Sequence, residues 1–260
     1  MKYKVRPKKH LGQHFLKEEA LAEKIANSLS ADDRYKSVLE IGPGMGVLTK
    51  YLLPKYGKDL SVVELDTESV HYLNEHYPDL RGRIIEADFL KTDLQELLAP
   101  PFAIIGNFPY NISSQILFRV YDNREDVPEV VGMFQREVAL RITSPPGNKT
   151  YGILSVLLGA FYDMEYLFTV DESAFHPPPK VKSAVIRLVR NDTPQLDCDE
   201  KLFFQVVKQG FNQRRKTLRN ALKSLMGGAP FDHPFSGQRA EQLSVQQFIE
   251  LTRWIASQMS

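Results

Sequence analysis

The sequence predicts a doubly wound α/β sheet followed by a small, wholly helical domain. Three observations carry this reading: short apolar runs alternate with helical stretches over the first 150 residues, a Gly-rich turn follows the first run, and strand-like segments cease after residue 189. With 260 residues and 43% hydrophobic content, the chain can bury a full core and form one large domain plus a small one.

Residues 37–41, 60–64, 83–87 and 102–106 are apolar-rich runs of the kind that form parallel strands buried on both faces. Residues 46–54, 67–77, 91–98 and 113–121 lie between and after them and read as helices. A fifth strand at 129–134, helices at 136–143 and 152–161, and strands at 163–170 and 182–189 complete a mostly parallel, seven-stranded sheet. Residues 191–199, with Pro194 and several acids, read as a linker, and helices are expected at 200–209, 213–225 and 244–258. The expected division is therefore 1–190 and 191–260.

The net charge of +1 hides a segregation. Residues 1–10 carry Lys2, Lys4, Arg6, Lys8 and Lys9 without an acid, and residues 201–223 carry seven Lys or Arg, again without an acid. The intervening residues 11–190 hold 19 basic and 25 acidic residues, so two cationic segments flank an anionic body. Nucleic acid fits such a pattern, although a solvated basic surface reads the same way. In a helix over 213–225, Leu218, Leu222 and Leu225 share one side and leave Arg215, Arg219 and Lys223 as a row able to follow phosphates. The single cysteine, Cys198, excludes an internal disulfide framework and points to a reducing compartment. The longest apolar stretch, 152–162, is too short to span a bilayer, and no apolar leader follows the N-terminus, so a cytoplasmic protein without a membrane partner is expected. No metal site is expected: His71 and His76 are five residues apart and do not share a helix face.

In an open parallel sheet, ligands bind beyond the carboxyl ends of the strands, where the strand order reverses. After the first strand comes Gly42-Pro43-Gly44-Met45-Gly46, a turn that lets backbone approach a ligand closely. After the second, Glu64 is placed to accept hydrogen bonds from both hydroxyls of a ribose. After the third, Asp88 and Phe89 offer a carboxylate and an aromatic face for an adenine. A nicotinamide or flavin enzyme also uses such a pocket, but Gly-x-Gly-x-Gly differs from the spacing that seats a pyrophosphate on a helix N-terminus, and a cofactor without phosphates, such as S-adenosylmethionine, fits better.

The fourth strand ends in Asn107-Phe108-Pro109-Tyr110. A base amine is a poor nucleophile because its lone pair is delocalised into the ring, so an enzyme gains by holding the nitrogen in line with a methyl group. The Asn107 side-chain oxygen and the Phe108 carbonyl can each accept one amine hydrogen, Pro109 turns the chain, and Tyr110 presents its ring to the base. Stacking on an aromatic ring is worth roughly 1–3 kcal/mol per base. The bland alternative is a turn in which Asn107 caps the next helix and Tyr110 only packs.

With these residues in view, the chain resembles the ribosomal RNA adenine dimethyltransferases, in particular the bacterial small-subunit KsgA/RsmA group. Gln13-His14-Phe15-Leu16 resembles the N-terminal cofactor motif, Glu40 to Gly46 the first methyltransferase motif, and Val63 to Asp66 and Ala87 to Phe89 the second and third. Gly106 to Asn111 resembles the catalytic segment, Phe175 to Val181 a later Phe-x-Pro-Pro-Pro-Lys-Val loop, and Phe211 to Leu218 the start of an RNA-facing region. The resemblance implies a Rossmann-like class I methyltransferase domain with a helical C-terminal domain that contacts RNA through Arg214, Arg215, Lys216, Arg219 and Lys223. It implies S-adenosylmethionine held by His14, Leu16, Gly42, Gly44, Glu64, Asp88, Phe89 and Asn107, and Phe175 facing Tyr110 across a flipped adenine. The substrate it implies is a pair of adjacent adenosines near the 3′ end of 16S RNA in the immature 30S particle, each receiving two methyl groups from a monomeric enzyme. Asn commonly stands where His14 stands and Leu where Phe108 stands; a His there makes pH-dependent cofactor binding an expectation.

Three alternatives share parts of this pattern. A large-subunit RNA methyltransferase of the antibiotic-resistance type has the same core, a DNA adenine methyltransferase shares the Asn-x-Pro-Tyr chemistry but needs a target-recognition insertion that is not evident here, and a non-catalytic ribosome-assembly or transcription factor keeps the fold alone.

Overall fold

The buried apolar runs become strands because both of their faces must be covered. A computed structural model describes residues 5–30, 33–227 and 229–259. Lys2 and Lys4 of the basic N-terminal segment lie outside the described residues.

The strands are β1 (Phe15–Leu16), β2 (Ser37–Ile41), β3 (Leu60–Glu64), β4 (Ile84–Glu86), β5 (Phe102–Asn107), β6 (Glu129–Gln135), β7 (Tyr162–Val170), β8 (Phe175–His176) and β9 (Ser183–Arg190). The helices are α1 (Glu19–Ala26), α2 (Thr49–Tyr56), α3 (Thr67–His76), α4 (Leu94–Leu97), α5 (Ser113–Asp122), α6 (Arg136–Ile142), α7 (Ile153–Gly159), α8 (Glu200–Asn212), α9 (Leu218–Ala221) and α10 (Val245–Met259). Contacts group the chain into two compact units, Met1–Ala139 with Met164–Arg190, and Leu140–Asp163 with Asn191–Ser260.

The seven-stranded sheet has the order β4-β3-β2-β5-β6-β9-β7. β4 through β6 are parallel neighbours, whereas β9 runs antiparallel to β6, from Glu129↔Val189 to Gln135↔Ser183. The chain leaves β2 toward β3 and β4, then returns to the other side of β2 as β5, which makes the β2/β5 boundary the switch point. β1 and β8 form a separate two-stranded ribbon with the register Leu16↔Phe175.

In the first unit, one apolar cluster joins Ala22 and Ile25 of α1 to Val38, Val62, Ala103, Ile105 and Val185 of the sheet. The eight-residue α1 is too short to be stable alone, and burial worth roughly 1.5–3 kcal/mol per large aliphatic side chain holds it in place. Asp66 caps α3, its side chain accepting from the Glu68 N–H at 3.3 Å.

In the second unit, α8 is the central helix and packs against α7, α9 and α10. Phe211 of α8 stacks on Phe248 of α10 with centroids 6.0 Å apart, and Asp199 caps α8 by accepting from Leu202 N–H at 2.8 Å. Two sequence expectations change here. The segment Leu140–Asp163, expected within a 1–190 domain, groups with the C-terminal residues, because α7 buries Val156, Leu157 and Leu158 and packs on α8. The helix expected over 213–225 shrinks to α9. The N–H groups of Leu218 and Arg219 donate to the carbonyls of Gln238 (2.7 Å) and Ser236 (3.0 Å), so a distant segment fixes where the helix starts. Arg215, Arg219 and Lys223 therefore do not form one helical row.

Candidate active site

At the switch point, the ends of β2, β3, β4 and β5 line one cavity of about 170 Å³, closed on another side by residues 11–15. All of these belong to the first unit. The turn after β2 approaches closely because Gly44 has φ 57°, and a Cβ there would stand 2.9 Å from the Phe15 ring. Its N–H donates to Glu64 Oε2 at 3.0 Å.

Glu64 is buried at the end of β3. Its Oε1 accepts from the N–H groups of Leu65 (2.8 Å) and Asp66 (2.9 Å). Burial pushes the carboxyl above its usual range, and the hydrogen bonds from Asp66, Gly44 and Leu65 oppose that shift. Three backbone N–H groups thus fix the orientation of this carboxylate at the cavity wall.

Asp88 follows β4, and its Oδ1 accepts from Leu90 N–H at 3.0 Å. The neighbouring Phe89 is 4% exposed and lines the cavity. This loop is braced by Arg119 of α5, whose guanidinium lies 5.6 Å from the Phe89 ring centre and donates to the carbonyls of Leu90 (2.6 Å) and Thr92 (2.8 Å). Nothing in the sequence pattern marks Arg119, because its partners lie 27 and 29 residues away.

Asn107 does not cap the following helix. Its Nδ2 donates to the His14 carbonyl at 2.9 Å, and because a carbonyl can only accept, this contact fixes the amide and leaves Oδ1 free to accept. Phe108 is buried edge-on against Phe134, with centroids 5.2 Å apart. Tyr110 stacks with the His14 imidazole at 5.4 Å and 26°, and its hydroxyl shares a hydrogen bond with Ser183 Oγ. Burial pushes the Tyr110 hydroxyl pKa up, with the Ser183 bond acting the other way. His14 Nδ1 lies 2.8 Å from the Pro177 carbonyl and so carries the proton in that bond.

The N-terminal segment is fastened to this site. Gly12 has φ 65°, and a Cβ there would meet Asn111 Oδ1 at 2.6 Å. Lys8 pairs with Asp66 and lies 3.4 Å from Glu68, while Gln13 Nε2 donates to Asp66 at 3.4 Å. Burial pushes the Asp66 carboxyl up, but hydrogen bonds from Lys8, Ser69 and Gln13 outweigh it and hold the carboxyl below its ordinary value. Lys8, counted in the sequence as part of a cationic arm, is thus a latch.

His14, Gly42, Gly44, Glu64, Asp88, Phe89, Asn107, Phe108, Pro109 and Tyr110 are brought together around the cavity. Two residues expected with them, Leu16 and Phe175, are not among the residues that line this cavity. Leu16 lines a smaller neighbouring cavity that shares Phe15, Gly42 and Asn107 with the first. Phe175 is 1% exposed and belongs to the apolar core, because its pairing with Leu16 in the β1–β8 ribbon turns the ring inward; the ring found beside Tyr110 is that of His14.

In the second unit, Arg215, Lys216 and Lys223 are exposed, and Arg219 donates to Ser236 Oγ at 3.3 Å. Arg214 differs: it donates to the Lys149 carbonyl and, at 3.2 Å, to that of Tyr151, and it pairs with Glu241 at 3.4 Å. Arg214 is thus a partly exposed brace within the second unit. Among the described residues no three His, Cys, Asp or Glu side chains gather as a metal site, and no helix is long and apolar enough to cross a membrane.

Residues 5–257 match the family model described as ribosomal RNA adenine dimethylase. The chain is 59% identical over 254 residues to the ribosomal RNA small subunit methyltransferase A of Cytophaga hutchinsonii, covering 97% of this chain and 98% of that protein. It is 61% identical over 252 residues to the protein of the same name from Parabacteroides distasonis, covering 95% and 93%. Among solved structures, a dimethyladenosine transferase from Plasmodium falciparum matches with a TM-score of 0.76 at 24% identity, covering 95% of this chain and 98% of that one. The 23S rRNA methyltransferase ErmE matches with a TM-score of 0.66 at 25% identity, covering 92% and 99%.

Proposed function

The chain belongs to the ribosomal RNA adenine dimethylase family, and on that premise we propose that it dimethylates the N6 amines of two adjacent adenosines in a hairpin near the 3′ end of 16S RNA. It is an S-adenosylmethionine-dependent enzyme.

The residues present fit that cofactor. The cavity is lined by two carboxylates, Glu64 and Asp88, by His14 and Tyr110, and by apolar and amide side chains, with no Lys or Arg among the described residues that line it. Such a wall repels a pyrophosphate and suits a nucleoside carrying a cationic sulfonium. Glu64 would take a ribose hydroxyl, Asp88 the adenine amine, and Phe89 the flat face of the adenine. When bound, S-adenosylmethionine supplies an electrophilic methyl group.

The chain's own contribution is positioning. Asn107 Oδ1, directed by the bond from Nδ2 to the His14 carbonyl, accepts one hydrogen of the target amine, and the Phe108 carbonyl accepts the other. Holding both hydrogens turns the nitrogen lone pair out of the ring, and Tyr110 fixes the base plane by stacking. Reactive pairs held in this way gain effective molarities that account for much of a barrier. The amine loses its proton only after becoming cationic, so no strong base is required. The single observation that carries the reading is the fixed Asn107 amide at the switch point, beside a cavity lined by Glu64 and Asp88.

In this reading the first unit carries out methyl transfer and the second contacts RNA and the immature 30S particle through Arg215, Lys216, Arg219 and Lys223. The enzyme acts as a monomer in the cytoplasm. The similarity to ErmE supports a second reading, action on large-subunit RNA. Incubating the full chain with labelled methyl donor and undermodified small or large subunits, then mapping label by mass spectrometry, separates the readings. Two dimethyladenosines near the 16S 3′ end are expected. Label confined to large-subunit RNA supports the second reading, and donor binding without transfer to either supports a non-catalytic assembly factor.

A further inference from the structure

We propose that Ser183 is a positioning residue for the target base: through its hydrogen bond to the Tyr110 hydroxyl it holds the stacking ring in one plane. This inference rests on the methyl-transfer reading given above.

Tyr110 lies in the loop after β5, and a tyrosine side chain there has two rotatable bonds. A stacking platform is useful only if its plane is set before the base arrives, since ordering it afterwards costs binding energy. The ring is held in two ways. One is the stacked His14 imidazole 5.4 Å away, itself tied to the Pro177 carbonyl at 2.8 Å. The other is at the far tip of the ring, where the hydroxyl meets Ser183 Oγ.

Ser183 suits this task because of where it lies. It is 0% exposed and sits at the start of β9, paired with Gln135 of β6. The next residues, Ala184, Val185 and Ile186, are fully buried and apolar, so a hydroxyl here is costly unless satisfied. Among the described residues, each of these two hydroxyls finds its partner in the other. Ser183 does not line the cavity, and its effect on a base must therefore pass through Tyr110.

The test uses the full chain with Ser183→Ala, Tyr110→Phe and the double substitution. Methyl transfer is measured on undermodified small subunits, and binding of S-adenosylhomocysteine by calorimetry. A short RNA hairpin with 2-aminopurine at a target position reports by fluorescence whether the flipped base is stacked. Ser183→Ala is expected to lower kcat/KM for the RNA substrate roughly three- to tenfold, the range of one net hydrogen bond. Binding of S-adenosylhomocysteine stays within about twofold, since the lost bond lies outside the cofactor wall. The quenching of 2-aminopurine weakens in the same variant. In the Tyr110→Phe background, where no hydroxyl remains to be held, Ser183→Ala has no further effect. An unchanged kcat/KM in Ser183→Ala, or an equal further loss in the Tyr110→Phe background, overturns the proposal. Wild-type protein that binds donor but transfers no methyl group removes the underlying reading and this inference with it.

Discussion

Replacing Glu40 with Gln tests the electrostatics at the end of β2. Glu40 is 1% exposed, and its Oε2 accepts from Thr49 Oγ1 at 2.6 Å. Burial pushes its carboxyl from 4.5 up to about 8; the Thr49 bond opposes this, and Glu64 nearby adds to it. Because the folded value is raised, the protonated form is the one the fold tolerates. Its contribution to stability is fully present below about pH 4.5 and is lost as pH rises through about 8. Within that window each pH unit costs about 1.4 kcal/mol, so wild type loses on the order of 4 kcal/mol between pH 5 and 8 relative to a group that cannot ionise. The amide of Glu40→Gln can still accept from Thr49, and any cost of its unpaired N–H groups is the same at every pH. Urea unfolding of both proteins from pH 5 to 9 gives the difference curve, in which carboxylates common to both cancel. Wild type should fall progressively below Glu40→Gln up to about pH 8 and then run parallel to it. Parallel curves throughout would show that Glu40 is ionised in the fold and refute the reasoning.

Arg119→Met removes the donors to the Leu90 and Thr92 carbonyls that hold the loop after β4 and should weaken S-adenosylhomocysteine binding roughly tenfold by calorimetry, the scale of one to two net hydrogen bonds. Unaltered affinity would mean that the Asp88-Phe89 loop holds its shape without Arg119. Arg215→Glu with Lys216→Glu should reduce the slope of log K against log salt for RNA by roughly 1.4–1.8. Arg214→Gln should instead lower the unfolding midpoint, because Arg214 braces the carbonyls of Lys149 and Tyr151. A salt slope that responds to Arg214 and not to Arg215 and Lys216 would reverse these assignments.

Much of this fold is legible in the sequence because burial on both faces leaves an unambiguous signature. Ser37–Ile41 and Leu60–Glu64 are strands where the apolar runs place them, and the four strand-end motifs meet at one cavity because consecutive parallel strands present their carboxyl ends together. What the sequence does not reveal depends on long-range partners. Leu218, Leu222 and Leu225 have helical spacing, yet the segment before Leu218 is a turn, because residues 236–238 supply the acceptors that start α9. The inward turn of Phe175 follows from its register with Leu16, and the latch at Lys8 from Asp66, 58 residues away. Ala22, Ile25 and Ala26 have helical spacing in α1, but eight residues are too few for a period to stand out from the sequence.

The central claim is that Asn107 acts on the target amine. The measurement that tests it most directly is methyl transfer by Asn107→Ala beside its binding of S-adenosylmethionine, followed by calorimetry on the same preparation. The account predicts that transfer is abolished while donor binding stays measurable, weakened only by the loss of the contact that ties Asn107 to the His14 carbonyl at 2.9 Å. Full transfer by this variant would contradict it.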